Sequence, residues 1–149
     1  MSKLILIYAS MTGNTEEMSE LITKGIEESG GEVTVKLAED CNADLLLQYD
    51  GMILGAYTWG DGELPDEFLD FYDELDELDL SGKKAAVFGS GDTVYEQFAK
   101  AVDLLQEKLA ERGAEMVLEP LKLELNPSGD ERGACLAFGR NFAGSAVSV

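Results

Sequence analysis

Histidine is absent from this chain of 149 residues, and its absence removes much familiar chemistry. Ser-His-Asp arrangements cannot be built. With only Cys41 and Cys135 as sulfur ligands, zinc and haem sites of the usual kinds are hard to assemble. The two cysteines stand far apart and read better as reduced, buried thiols than as a structural disulfide. Cys135 does not open a C-x5-R phosphate loop, because Arg140 comes one residue early. Basic residues are scarce: 11 Lys and Arg stand against 30 Asp and Glu, a formal net charge of −19. That balance disfavours nucleic acid and anionic membrane as partners. No apolar run is long enough to span a membrane, and the N-terminus lacks the cleavage-site pattern of a signal peptide. A cytoplasmic location is therefore expected. Internal repeats, low-complexity tracts and linkers are also missing, so residues 1–149 are expected to form a single domain.

What the chain does have is organised around Ala9-Ser10-Met11-Thr12-Gly13-Asn14-Thr15. An apolar run, residues 4–8, precedes this stretch and reads as a strand buried on both faces. Residues 16–29 follow, with Met18, Leu21, Ile22, Gly25 and Ile26 at helical spacing. A strand that turns through hydroxyls, an amide and a glycine into a helix makes an anion site, because first-turn N–H groups lack intrahelical partners and carry the positive end of the dipole. Ser10, Thr12, Asn14 and Thr15 can add side-chain donors, and Gly13 lets the backbone approach closely. An ordinary Ser/Thr-rich helix cap would read the same way. The stretch has no Lys or Arg and matches neither G-x-x-x-x-G-K-[ST] nor G-x-G-x-x-G. Neutral donors of this kind suit holding a phosphate better than transferring one.

The remaining pattern is strand–helix repeated five times. Residues 32–37 alternate, with Val33, Val35 and Leu37 inward, as on a half-exposed edge strand. A short helical segment over 43–48 leads to 51–56, apolar throughout. Residues 65–75 read as a helix with Phe68, Leu69 and Tyr72 on one face, and Pro65 suits its start. Residues 84–89 are again apolar. The helix over 95–112 carries Phe98, Ala101, Val102, Leu105 and Leu109 on one side and ends at Gly113. Residues 121–125 alternate, and Pro127-Ser128-Gly129 opens a last helix weakened by Gly133, Gly139 and Gly144. The first, third and fourth strands are apolar on both faces, while the second and fifth alternate. This predicts a doubly wound five-stranded parallel sheet of order 2-1-3-4-5, with helices on both faces. Ligands bind such sheets outside the carboxyl ends of the strands, where the winding reverses between strands one and three.

Two further loops open at that edge: Tyr57-Thr58-Trp59-Gly60-Asp61-Gly62-Glu63-Leu64 and Ser90-Gly91-Asp92-Thr93-Val94-Tyr95. Each sets one large aromatic, Trp59 or Tyr95, among glycines and acids, in a turn and not at a core-like period. Two such rings can stack on a planar heterocycle from both sides. The hydroxyl loop, the T-W-G-D-G loop and the G-D-x-x-Y loop, in this order across essentially the whole chain, resemble the flavodoxin family. Residues 118–125 lack the insertion of its long-chain members, so the short-chain class is the closer match.

The resemblance implies non-covalently bound FMN and no metal. Ser10, Met11, Thr12, Gly13, Asn14 and Thr15 would surround the phosphate. Tyr57, Thr58, Trp59, Gly60 and Asp61 in the second loop, with Ser90, Gly91, Asp92, Tyr95, Gln97, Phe98 and Ala99 in the third, would surround the ring. The ring would lie between Trp59 and Tyr95, with the Gly60 carbonyl at flavin N5 and backbone groups around Asp92 at the pyrimidine edge. It also implies a monomeric low-potential one-electron carrier without a catalytic residue of its own, cycling between semiquinone and hydroquinone. A basic-faced reductase of the ferredoxin/flavodoxin reductase type and acceptor redox enzymes would be its transient partners. The acids of residues 61–79 (Asp61, Glu63, Asp66, Glu67, Asp70, Asp73, Glu74, Asp76, Glu77 and Asp79) have no basic residue among them. They read as a rim that steers such a partner, ahead of a merely solvated face. Two other functions share the fold: an NAD(P)H-dependent quinone reductase, for which no nicotinamide motif is evident, and a specialised activator of ribonucleotide reductase. A response regulator would need acids at the end of strand one, and none occurs before Glu16.

Overall fold

The computed structural model describes residues 3–9, 14–57, 66–91, 100–124 and 130–146. Leu4–Tyr8 forms β1, buried at every position, followed by α1 (Asn14–Glu28) and β2 (Val33–Leu37). Two 3-10 turns (Ala38–Asp40 and Ala43–Gln48) lead to β3 (Gly51–Tyr57). Helix α2 (Asp66–Glu74) runs on into a 3-10 turn, Leu75–Glu77, and β4 (Lys84–Gly91) follows. The chain closes with α3 (Lys100–Glu111), β5 (Glu115–Met116), β6 (Leu121–Glu124) and α4 (Asp130–Ala146).

The strands pair in parallel in the order β2-β1-β3-β4-β5, as the hydrophobic pattern predicts. Alternation along the central strands divides the core in two. Ile5, Ile7, Met52, Leu54 and Val87 point to one face, where Phe68, Phe71, Leu75, Val102, Leu105 and Leu109 from α2, the turn after it and α3 cover them. Leu4, Leu6, Tyr8, Ile53 and Phe88 point to the other, beneath Met18, Leu21, Ile22 and Ile26 of α1 and Phe138 and Phe142 of α4. Each of these large side chains contributes about 1.5–3 kcal/mol on burial, enough to override mediocre local propensity.

Four details depart from the sequence reading. The fifth lane of the sheet is two short strands, not one: Lys84 faces Glu115, whereas Phe88 faces Leu121, so the outer strand carries two extra residues. Pro120, which has no N–H to give a ladder, lies in this break. On α2 the buried face is Phe68 and Phe71, continued by Leu75, while Leu69 is 42% exposed and Tyr72 flanks the core. Val35 is 41% exposed, whereas Val33 and Leu37 on the same side of edge strand β2 pack against the core. Glycine in α4 has a packing role at Gly139, where a Cβ would run into the Ile22 carbonyl oxygen of α1; Gly25 stands in the same relation to the Leu136 carbonyl. The two helices thus touch backbone to backbone. Gly133 and Gly144 face open space.

Gly113, at φ +99°, ends the turn after α3 in the left-handed conformation that glycine tolerates best. Neither cysteine is in a disulfide: Cys135 is fully buried and Cys41 half-buried. No helix among the described residues is long and apolar enough to cross a membrane.

Candidate functional site

Parallel pairing brings the carboxyl ends of three strands to one edge. Tyr8 at the end of β1 is level with Gly55, so β3 continues two residues further, to Tyr57. Tyr57 is level with Ser90, and β4 ends at Gly91 beside Glu124 of β6. Just beyond β1, the Ala9 N–H donates to the Gly55 carbonyl at 3.0 Å, fixing where the chain leaves the sheet. It re-enters regular structure at Asn14, the start of α1, and Thr15 is fully buried in the first turn. The winding reverses between β1 and β3, so this edge is the switch point of the sheet.

Of the residues predicted for the site, Asn14 and Thr15 therefore begin α1, Tyr57 ends β3, and Ser90 and Gly91 end β4, all along the same edge. Ser10, Met11, Thr12, Gly13, Thr58, Trp59, Gly60, Asp61, Asp92, Tyr95, Gln97, Phe98 and Ala99 lie outside the described residues.

Sequence reasoning missed two buried polar side chains at the end of β1 and the start of α1, Tyr8 and Ser19. Tyr8, the last residue of β1, is buried in one core cluster with Met18 and Ile22 of α1. Ser19, itself buried, donates to the Glu16 carbonyl at 2.7 Å. Burial first, then the Glu16 and Glu20 carboxylates, push the phenol above its ordinary value of 10.0. The one available clue was a phenol closing an otherwise aliphatic strand.

The acidic run divides into two roles. Glu74 accepts from the Ala43 N–H at 2.8 Å, and Asp76 pairs with Lys108, whose ammonium lies 4.6 Å from the centre of the Tyr72 ring. Hydrogen bonds from Ser81 hold the Asp79 carboxyl below its usual range. Asp70, Asp73 and Glu77 are exposed and face solvent on α2 and the turn after it. No group of three or more His, Cys, Asp or Glu side chains placed to hold a metal occurs among the described residues.

The family model described as Flavodoxin matches residues 6–139, most of the chain. The chain belongs to the flavodoxin family. Its sequence is 53% identical over 144 residues to "Probable flavodoxin 2" of Bacillus subtilis, covering 96% of this chain and 95% of that one. The crystal structure of oxidised Flavodoxin 1 from Bacillus cereus superposes with a TM-score of 0.93 at 57% identity, covering 96% and 98% of the two chains. A short-chain flavodoxin associated with a non-canonical PDU bacterial microcompartment superposes with a TM-score of 0.94 at 31% identity, covering 99% and 100%. Flavodoxins are FMN-binding electron carriers and not enzymes; this chain is therefore a carrier, and the quinone-reductase and activator readings are not favoured.

The described residues fit FMN. The first turn of a 15-residue helix, with Thr15 buried in it, faces the edge where the winding reverses. Its N–H groups and the neutral donors before it can hold a phosphate without a cation.

Proposed function

We propose that this chain is a low-potential one-electron carrier of the cytoplasm, a monomer of one domain, exchanging electrons with a basic-faced reductase and with acceptor redox enzymes. The observation that carries this reading is a switch-point edge whose first loop holds only neutral donors, in a chain of net charge −19. When bound, FMN supplies the one-electron chemistry. The residues of the chain bind it, orient it and set what its charge costs. Ser10, Met11, Thr12, Gly13, Asn14 and Thr15 hold the phosphate. Tyr57, Thr58, Trp59, Gly60 and Asp61 line one side of the ring, with Trp59 stacked on it. Ser90, Gly91, Asp92, Tyr95, Gln97, Phe98 and Ala99 line the other, with Tyr95 stacked. The two rings exclude water from the faces of the heterocycle.

Low potential follows from charge. A unit negative charge about 4 Å from another costs ~1 kcal/mol in water and about 4 near a protein surface. Acidic surroundings without a compensating cation therefore oppose the second electron. For a one-electron step, ~1.4 kcal/mol corresponds to about 59 mV. The exposed acids of α2, which follows the second loop directly, support a docking face for a basic partner.

Two measurements test this reading. Thr12→Ala or Thr15→Ala weakens FMN binding far more than riboflavin binding, because only FMN has a phosphate to lose; equal losses refute the phosphate assignment. Replacing Asp61, Glu63, Asp66 and Glu67 by Asn or Gln slows reduction by a basic reductase at low salt. The difference shrinks as the Debye length falls below about 10 Å. Equal rates at low salt would return the acidic run to a solvated face.

A further inference from the structure

Strand β2 closes one side of the sheet: among the described residues it pairs with β1 alone, so its outer edge belongs to no ladder. The chain along that edge reads Glu32-Val33-Thr34-Val35-Lys36. Val33 packs against the core, while Val35 on the same side is 41% exposed. Glu32 and Lys36 are exposed, and neither takes part in an ion pair among the described residues.

Turned about Thr34, this sequence complements itself. In an antiparallel pair of two copies centred there, Thr34 faces Thr34, Val33 faces Val35 and Glu32 faces Lys36, the two unlike pairs occurring twice by symmetry. Cross-strand pairs of β-branched residues and of opposite charges stabilise a sheet, and like charges placed opposite each other oppose it. Centring on Val35 instead would set Lys36 against Thr34 and Glu32 against Ala38, with no ion pair, so charge selects the first register. A cavity of about 480 Å³ opens beside the start of β2, with Glu27, Glu32, Thr34 and Tyr49 among its lining. Lys3, which also lines it, holds its ammonium over the Tyr49 ring, 5.5 Å from the centre. Lys36 of a second copy would arrive opposite Glu32, at the rim of this cavity.

We propose that the outer edge of β2 is a contact surface for a second copy of this chain, the two strands pairing antiparallel about Thr34 so that Lys36 of each copy meets Glu32 of the other. A two-fold contact uses each edge once and stops at two chains. The strands run in opposite directions, so the switch-point edges of the two sheets point apart and both stay open. One short strand is far less contact than a lasting dimer needs, and two chains of net charge −19 repel each other. The pairing is therefore weak, with a dissociation constant on the order of 0.1–1 mM, and the dilute carrier is a monomer.

The test is sedimentation equilibrium of the FMN-loaded protein over a concentration series spanning that constant. At about 0.15 M salt, repulsion between the chains is screened beyond about 8 Å while facing side chains still feel each other. Wild type is compared with Glu32→Lys, Lys36→Glu, the double exchange of both charges, and Val35→Lys; bound FMN shows that each variant is folded. Each single charge reversal is expected to weaken association about tenfold, because the mispaired contact occurs twice. The double exchange restores it to within about twofold, and Val35→Lys weakens it at least as much as either single reversal. Glu32→Lys separates this register from general repulsion, since it makes the chain less acidic and yet is expected to associate less. Wild type that stays monomeric throughout the series, tighter association in Glu32→Lys, or a double exchange no better than the single reversals overturns the proposal.

Discussion

Replacing Gly139 by alanine sets two effects of opposite sign against each other. In an open stretch of helix the change is favourable by about 1 kcal/mol, because alanine loses less backbone entropy on folding. At Gly139 the new Cβ would collide with the Ile22 carbonyl oxygen and approach the Ile26 nitrogen, both backbone atoms of α1. Neither can swing aside as a side-chain tip could, so the helices must part or α4 must shift, and overpacking of that kind costs roughly 1–3 kcal/mol. Separation also loosens the contacts of Phe138 and Phe142 with the sheet. We expect a net loss of about 1–2 kcal/mol. Gly133 supplies the control within the same helix: nothing lies within 4 Å of its would-be Cβ, so Gly133→Ala gains about 0.5–1 kcal/mol. Urea unfolding at saturating FMN measures both. With a slope of roughly 1–3 kcal/mol per molar for a domain of this size, the midpoints of the two variants separate by about 1 M. Equal midpoints, or a more stable Gly139→Ala, would refute the backbone-to-backbone contact between α1 and α4.

Three further outcomes are expected. Phe71→Ala costs about 3–5 kcal/mol, whereas Leu69→Ala on the solvent side of α2 stays within about 0.5 kcal/mol, and equilibrium unfolding distinguishes them. Thiol titration of the native protein at pH 8 modifies Cys41 well before Cys135, which is fully buried and reacts only on unfolding. Burial pushes the Cys135 thiol from 9.0 up to about 11, so the unfolded chain ionises first; the stability held by the neutral thiol is complete below about pH 9 and is lost as pH rises through the folded value. Unfolding free energy should therefore fall more between pH 8 and 10.5 in wild type than in Cys135→Ala.

Strands β1, β3 and β4 were legible because both faces are buried, and a short uninterrupted apolar run between turn residues is what a strand covered on both sides requires. From their contrast with the alternating edge strands came the sheet order, and from the order came the edge to which Asn14, Thr15, Tyr57, Ser90 and Gly91 belong. Periodicity was weaker wherever the answer depended on a neighbour. The apolar positions 68, 69, 71, 72 and 75 make a stripe wider than the face α2 buries, and only contact with the sheet selects Phe68, Phe71 and Leu75. Alternation in β2 shows which residues share a face, not that Val35 on it stays exposed. Propensity reads Gly139 as a weakness because it is a local quantity, while the contact with Ile22 joins residues far apart in the chain. The residues of the three loops expected around the ring and phosphate lie largely outside the described residues.

The central claim is electron carriage one electron at a time, with the second electron made costly by acidic surroundings. It is tested most directly by anaerobic titration of the purified protein with a strong reductant, recording flavin content and both midpoint potentials. The account predicts one FMN per chain and two well-separated one-electron steps, the second at a potential below that of free FMN. A chain that binds no FMN, that takes both electrons in a single step, or that oxidises NAD(P)H unaided would contradict it.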